Sequence, residues 1–267
     1  MTNSSPLGQS LAGAESPSPS GTLTAEGISR SFRGVTALDS VTLSIPRGRV
    51  TGLIGPNGAG KSTLVNILSG YDRPNAGAVV MNGENITRQA AYKRSRAGVA
   101  RTFQHGNLYR SLSVLENVEV SAIASGRGRK AARRESIEIL DRLDLLSWAG
   151  STGEHLPHGV ERRLGVARAL ATAPQYLLLD EPAAGLNDGE MEQFRDTVRA
   201  VSVDLNLGVL LIDHNMRLIF AGCDYVYVLA AGANILDGEP DMVRADEKLA
   251  TSYLGTMAAT LTEVPHG

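Results

Sequence analysis

Cysteine is nearly missing from this chain: Cys223 stands alone among 267 residues, which rules out an internal disulfide and suits a reducing compartment. Excess positive charge is missing as well. With 26 Lys and Arg against 28 Asp and Glu, the net charge is −2, whereas a general nucleic-acid binder normally carries a strongly basic balance. No apolar run approaches the roughly 18 residues of a membrane-spanning helix, so membrane work would need another chain to supply the span. A secretory leader needs a basic start and an apolar stretch of about 7 to 15 residues. Here no basic residue precedes Arg30, and the opening stretch is rich in Ser, Pro and Gly. His155 and His158 lie three apart without further ligands nearby, so zinc is not expected. No internal repeat is found.

What the chain does have is 42% apolar residues, enough for a sizeable core in one large domain, or in one domain with a subdomain. Residues 1–22 read as a disordered tail. Val41, Leu43 and Ile45 alternate with Thr42 and Ser44, the period of a half-buried strand. Val79-Val-Met runs into Asn82-Gly83, a hairpin turn signal. Together these predict a small antiparallel sheet. Ile137, Leu140 and Leu143 share one helical face between about Ala131 and Trp148, so the middle third reads as helical. Tyr176 to Leu179 and Val209 to Ile212 are continuous apolar runs separated by a helical stretch from Glu190 to Val201. That pattern predicts buried parallel strands joined by a crossover helix.

The chemistry begins at Gly55-Pro56-Asn57-Gly58-Ala59-Gly60-Lys61-Ser62-Thr63, which fits the phosphate-loop pattern G-x-x-x-x-G-K-[ST]. In that pattern glycines let backbone N–H groups curl around phosphates, Lys61 reaches the β- and γ-phosphates and the Ser62 hydroxyl holds Mg²⁺. Val50 to Ile54 before the loop reads as a strand, and Leu64, Val65, Ile67 and Leu68 after it recur at helical spacing. A helix N-terminus then points its dipole at the phosphates. Further on, Tyr176-Leu-Leu-Leu179 ends in Asp180-Glu181-Pro182, two carboxylates at the carboxyl end of a buried strand, where open α/β sheets bind ligands. Asp180 is the expected Mg²⁺ residue, and Glu181 the expected general base for the attacking water. The competing reading is a pair of solvated strand-end charges.

In their order and spacing these elements resemble the nucleotide-binding subunit of an ATP-binding cassette (ABC) transporter over about residues 23–255. The resemblance implies a P-loop, RecA-like α/β core with an antiparallel β subdomain and an inserted α-helical subdomain, about residues 91–174. Residues 256–267 would be a C-terminal tail. It implies ATP and Mg²⁺ as cofactors, integral membrane permease subunits as partners, and a second ATPase subunit, homologous or identical, sharing two sandwiched ATP molecules. No nucleic acid is implied. The location implied is cytoplasmic, on the inner face of the cell membrane.

Residue by residue, Phe32 matches the aromatic that stacks on adenine, against which an ordinary core Phe is the alternative. Gln104, in Arg101-Thr-Phe-Gln-His105, matches the glutamine that touches Mg²⁺ and the attacking water, and the loop from Gln104 to Arg110 would meet the permease. His214, after Val209-Leu-Leu-Ile-Asp213, matches the switch histidine that contacts the γ-phosphate. Ala184-Gly185-Leu186-Asn187 resembles the loop that crosses to the other subunit. The signature segment departs from the family: Leu-Ser-Gly-Gly-Gln is common, and here Leu156-Pro157-His158-Gly159-Val160 stands in its place. Pro157, His158 and Gly159 would still face the opposite ATP. With no hydroxyl at Pro157 and no amide at Val160, the resemblance implies a weakened site and a working complex that pairs this chain with a distinct ATPase.

Val99 to His105, Asp180 to Asn187 and Tyr253-Leu-Gly255 look like the ATPases of branched-chain amino-acid importers, whereas Asp213-His-Asn-Met216 resembles the lipopolysaccharide-export type. Import of such amino acids, or of a related small polar solute, is the reading favoured. Non-transport cassettes fit less well: chromosome-type members insert long coiled coils between phosphate loop and signature, and translation-type members usually carry two cassettes. A soluble P-loop kinase would lack both a signature and a switch histidine. The basic run Arg127, Arg129, Lys130, Arg133 and Arg134 reads as a solvated helix face, with attraction to anionic headgroups or a membrane partner as the alternative.

Overall fold

The computed structural model describes residues 21–102, 108–247 and 249. Along the chain run β1 (Thr22–Phe32), β2 (Val35–Pro46), β3 (Val50–Ile54), α1 (Lys61–Ser69), β4 (Ala76–Met81), β5 (Glu84–Asn85), α2 (Ala91–Ala97) and β6 (Val99–Arg101). Then come α3 (Val114–Ala124), α4 (Arg129–Arg142), a 3-10 turn at Leu146–Trp148, α5 (His158–Leu170), β7 (Tyr176–Asp180) and α6 (Asp188–Asp204). The described part closes with β8 (Gly208–Ile212), α7 (Met216–Gly222), β9 (Tyr225–Ala230), β10 (Ala233–Gly238) and α8 (Pro240–Ala245).

These strands build two sheets. The first is antiparallel in the order β2-β1-β4-β5, and Asn82 and Gly83 turn the β4–β5 hairpin with φ of 52° and 86°, the pair of positive angles such a turn needs. The second has the order β10-β9-β3-β8-β7-β6 and is parallel except for the edge strand β10. Every residue of β3, β7 and β8 is buried, as parallel strands covered on both faces are, and only Thr51 and the strand-end Asp180 interrupt their apolar and glycine residues. Alternate residues then serve different layers. Leu53, Leu178, Leu210 and Ile212 pack with the antiparallel sheet and α1, while Ile54, Leu177, Leu179, Val209 and Leu211 pack with α3 to α7. A Leu→Ala truncation in such a core typically costs about 2–5 kcal/mol.

Sequence and structure part company in two places here. Val99–Arg101 lies inside the stretch expected to be helical, yet it forms β6 and pairs in parallel with β7; three residues are too few to show a period. Arg94 on α2 is wholly buried and donates to the carbonyls of Ile67 and Leu68 at the end of α1, and also to those of Thr87 and Gln89. A buried guanidinium survives because backbone carbonyls take its protons, although burial draws its pKa down to about 10.

Candidate nucleotide-binding and catalytic site

Because β3, β8 and β7 are neighbours, the residues that leave their carboxyl ends meet on one edge of the main sheet. The chain turns out of β3 at Gly55, where φ is 152° and an added Cβ would lie 2.1 Å from the Leu229 carbonyl oxygen. At Gly60 φ is 102°, and a Cβ would come within 2.6 Å of the Ala37 carbonyl oxygen. Both places demand glycine. Asn57 and Gly58 form the exposed tip of the loop, Pro56 is half-buried, and Ala59 packs inward. No side chain caps the start of α1, so its first N–H groups have no side-chain partner of their own.

Lys61 is the first residue of α1 and is buried; its ammonium donates to the Gly55 carbonyl at 2.6 Å and the Pro56 carbonyl at 3.0 Å. Burial lowers its pKa, and the Glu181 and Asp180 carboxylates pull it back up. Both partners are plain oxygen acceptors, so the ammonium can pass to phosphate oxygens without losing hydrogen bonds. Ser62 beside it is exposed and Thr63 half-buried.

Asp180 ends β7 with 5% of its side chain exposed, and its Oδ2 accepts from Arg101 Nη2 at 2.9 Å. Arg101 Nη1 donates at 2.6 Å to Asn66 Oδ1 on α1. A buried ion pair survives only with good geometry and further hydrogen bonds, and Asn66 supplies one. Arg101 was missed from sequence, since nothing in an Arg beside a Thr signals a partner 79 positions away. Glu181 is left-handed, with φ of 50°, and its N–H donates to the Ile212 carbonyl. Its Oε1 lies 2.8 Å from His214 Nε2. Asp213 fixes that meeting: one carboxylate oxygen accepts the Ala183 N–H and the other the Asn215 N–H, tying the loop after β7 to the loop after β8. Its place next to His214 was the only signal in the sequence.

The remaining expected residues divide. Phe32 is 44% exposed with the Arg30 guanidinium 4.5 Å above its ring centre, so the core-residue alternative fails. Gln104 and His105 lie outside the described residues. Pro157 caps α5 without a side-chain hydrogen bond, and Pro157 and His158 are exposed, whereas Gly159 is buried against Glu190. Val160 requires a correction: at 4% exposure it belongs to the core, so its apolar side chain takes nothing from the exposed surface. The third residue of α5 falls on the covered side of the helix, within the core cluster that packs α3 to α7, which the five-letter pattern could not reveal.

The sequence profile of the family described as ABC transporter matches residues 38–184. A branched-chain amino acid transport ATP-binding protein, BraF of Pseudomonas aeruginosa, is 33% identical over 248 residues, covering 87% of this chain and 97% of that one. The chain belongs to the ABC transporter family. The lipopolysaccharide export system ATP-binding protein LptB of Haemophilus influenzae is 32% identical over 234 residues, with coverage of 87% and 97%. Among solved structures, the ADP conformation of MJ1267, an ATP-binding cassette of an ABC transporter, superposes with a TM-score of 0.80 at 29% identity, covering 87% of this chain and 98% of that one. This ABC ATPase therefore hydrolyses ATP in step with transport, on a RecA-like cassette fold. The residues present fit magnesium and a nucleoside triphosphate: glycines at positions 55 and 60 without room for a Cβ, an uncapped helix start, the Lys61 ammonium and a buried carboxylate converge there.

Proposed function

We propose that this chain is the ATP-binding and ATP-hydrolysing subunit of an importer for branched-chain amino acids or a related small polar solute. The observation that carries the chemical part is the 2.8 Å contact between Glu181 and His214 beside the Lys61 loop. In this reading Gly55 to Thr63 hold the phosphates, Phe32 stacks on adenine, and Ser62, Gln104 and Asp180 hold Mg²⁺. Held by these residues, Mg²⁺ would supply neutralisation of phosphate charge. Glu181 takes the proton of the attacking water, a role that contributes about 10²–10⁴ in rate, and His214 moves from Glu181 to the γ-phosphate when the site closes.

Closure needs a second ATPase subunit whose signature covers this nucleotide, while Pro157, His158 and Gly159 cover the partner's. With Pro157 offering neither hydroxyl nor N–H, a distinct partner ATPase remains the proposal, now resting on Pro157 alone. Residues about 91–174 act as the helical subdomain. Permease subunits dock on the loop from Gln104 to Arg110, whose Tyr109 also lines a cavity of about 490 Å³ together with Tyr71, Ser95, Arg101, Ser121 and Arg168. Tyr109 is 47% exposed, lies 4.9 Å from the Arg168 guanidinium and is tied to α3 through Asn117. Leu108 is partly buried against the core, so Tyr109 is the cleaner docking probe. No helix among the described residues is long and apolar enough to cross a membrane; the permease contacts would place the subunit on the inner face.

Export of a lipid or lipopolysaccharide is the second reading, favoured by a relative almost as similar as the importer ATPase. The test is reconstitution of the chain with its cognate permease in vesicles. ATP-dependent uptake of labelled leucine, isoleucine or valine, abolished by Glu181→Gln while ATP binding persists, is the expected result. Lipid transfer without uptake would replace importer by exporter, and near-normal turnover of Glu181→Gln would remove Glu181 as the base.

A further inference from the structure

The charge of this molecule is nearly balanced in total and sharply unbalanced in place. Residues 88–134 hold 11 of the 26 Lys and Arg but only 2 of the 28 Asp and Glu, leaving 15 cations against 26 carboxylates for all other residues. Two of the eleven are used inside the fold, Arg94 on the α1 carbonyls and Arg101 on Asp180. Three more make ion pairs: Arg127 with Glu135, Arg133 with Glu119, and Arg134 with Glu138. Lys93, Arg96, Arg129 and Lys130 are exposed and, among the described residues, form no ion pair.

Arg96 lines a groove, Lys93 stands one turn before it on α2, and Arg129 and Lys130 open α4 just beyond the groove's Gly126. Tyr92, Ser95 and Arg96 form one wall of that groove, whose other wall is Ser121, Ala124, Ser125 and Gly126, and Arg127 to Lys130 follow directly. Apolar surface sits among the charges, with Tyr92 61% and Ile123 43% exposed. Arg129 and Lys130 occupy the first turn of α4, where cations oppose the helix dipole, so helix stability gives no reason for them. We propose that this face binds the anionic phospholipid headgroups of the membrane around the permease. A diffuse band of flexible cations with exposed aromatic and aliphatic side chains between them fits a fluid headgroup layer, to which each Lys or Arg contributes independently. The proposal rests on the transporter reading only for its orientation, since the groove adjoins the cavity lined by Tyr109 through Ser95 and Ser121.

The experiment is sedimentation of the full chain, without permease, with vesicles of phosphatidylcholine alone and with vesicles about one third phosphatidylglycerol. The chain is expected to bind the anionic vesicles only and to release at about 1 M salt, where the Debye length shrinks to about 3 Å. Lys93→Gln with Arg96→Gln, and Arg129→Gln with Lys130→Gln, should each weaken binding roughly fivefold per residue. The equal charge change in Arg49→Gln with Arg244→Gln should leave it unaltered. Equal binding to both vesicles, or equal loss in the control, would overturn the proposal. So would loss of permease assembly in neutral detergent for the two groove variants without loss of vesicle binding, because the anionic partner would then be protein. ATP turnover of the isolated chain should not change in these variants, so failure of the lipid assay leaves the transporter reading untouched.

Discussion

Two kinds of helix start coexist in this molecule. α3 and α6 open on complete capping boxes, in which Ser113 pairs with Glu116 and Asn187 with Glu190, each side chain reaching the other's backbone N–H. α1 and α5 open on Gly60 and Pro157 with no side-chain cap. A cap typically contributes about 0.5–2 kcal/mol; α2, α4 and α8 also lack one, so a bare start alone does not mark a phosphate site, and what distinguishes α1 is the set of groups gathered at it. The starts of α1 and α5 differ in turn. At α1 backbone space, the Lys61 ammonium and an exposed serine all converge, while at α5 only Pro157 and His158 reach the surface. One end is fully equipped and the other sparsely so.

The contrast breaks most visibly at Gly60. Gly60→Ala puts a Cβ 2.6 Å from the Ala37 carbonyl at a φ of 102°, and loss of nearly all nucleotide affinity, measured by calorimetry, is expected along with about 2–4 kcal/mol of stability. An unchanged dissociation constant would show that the loop does not depend on this glycine. Next comes the poorer end. Pro157→Ser restores one hydroxyl in each subunit, and a hydrogen bond to a charged group contributes about 1.5–3 kcal/mol, so with two sites per dimer the ATP-dependent dimerisation of this chain with itself should tighten roughly 10²- to 10⁴-fold in gel filtration with Glu181→Gln. No tightening would mean that the α5 start is not limited by Pro157.

Smaller effects sharpen the same contrast. Val160→Gln supplies the amide common in the family, but at a core position with 4% exposure. It should lower stability by about 1–3 kcal/mol, through a buried amide without a partner, and leave dimerisation no tighter. A gain in dimerisation would put residue 160 back on the surface. Ser113→Ala removes a cap, and a drop of about 1 kcal/mol in denaturant unfolding with unaltered nucleotide affinity is expected. Any loss of affinity would tie α3 to the nucleotide more directly than its position suggests.

What sequence could show depended on whether a feature was local. The phosphate loop, the apolar strands β3, β7 and β8 and the Asn82-Gly83 turn each place their own explanation within a few residues, and all stand where they were expected. Features made by distant partners left no trace. β6 exists because β7 offers it hydrogen bonds, and Arg94 is buried because the end of α1 offers it carbonyls. The bridge from Arg101 to Asp180 and Asn66 joins three elements that only the sheet order brings together. Val160 was misjudged because a five-residue pattern carries no information about which helix face is covered. Phe32 was open to two readings until its exposure and its Arg30 neighbour were known.

Glu181 carries a tension of its own. Its φ of 50° is a conformation that glycine takes freely and asparagine tolerates, but that burdens a longer L side chain by about 1–2 kcal/mol. The backbone there is set by the N–H bond to Ile212, and that same geometry aims the carboxylate at His214. Selection for heat resistance alone would therefore drift toward glycine or asparagine at this position and discard the acid. If Glu181 is the base proposed above, this backbone cost is borne for turnover, and a laboratory library sorted only by thermal survival should lose activity through this position.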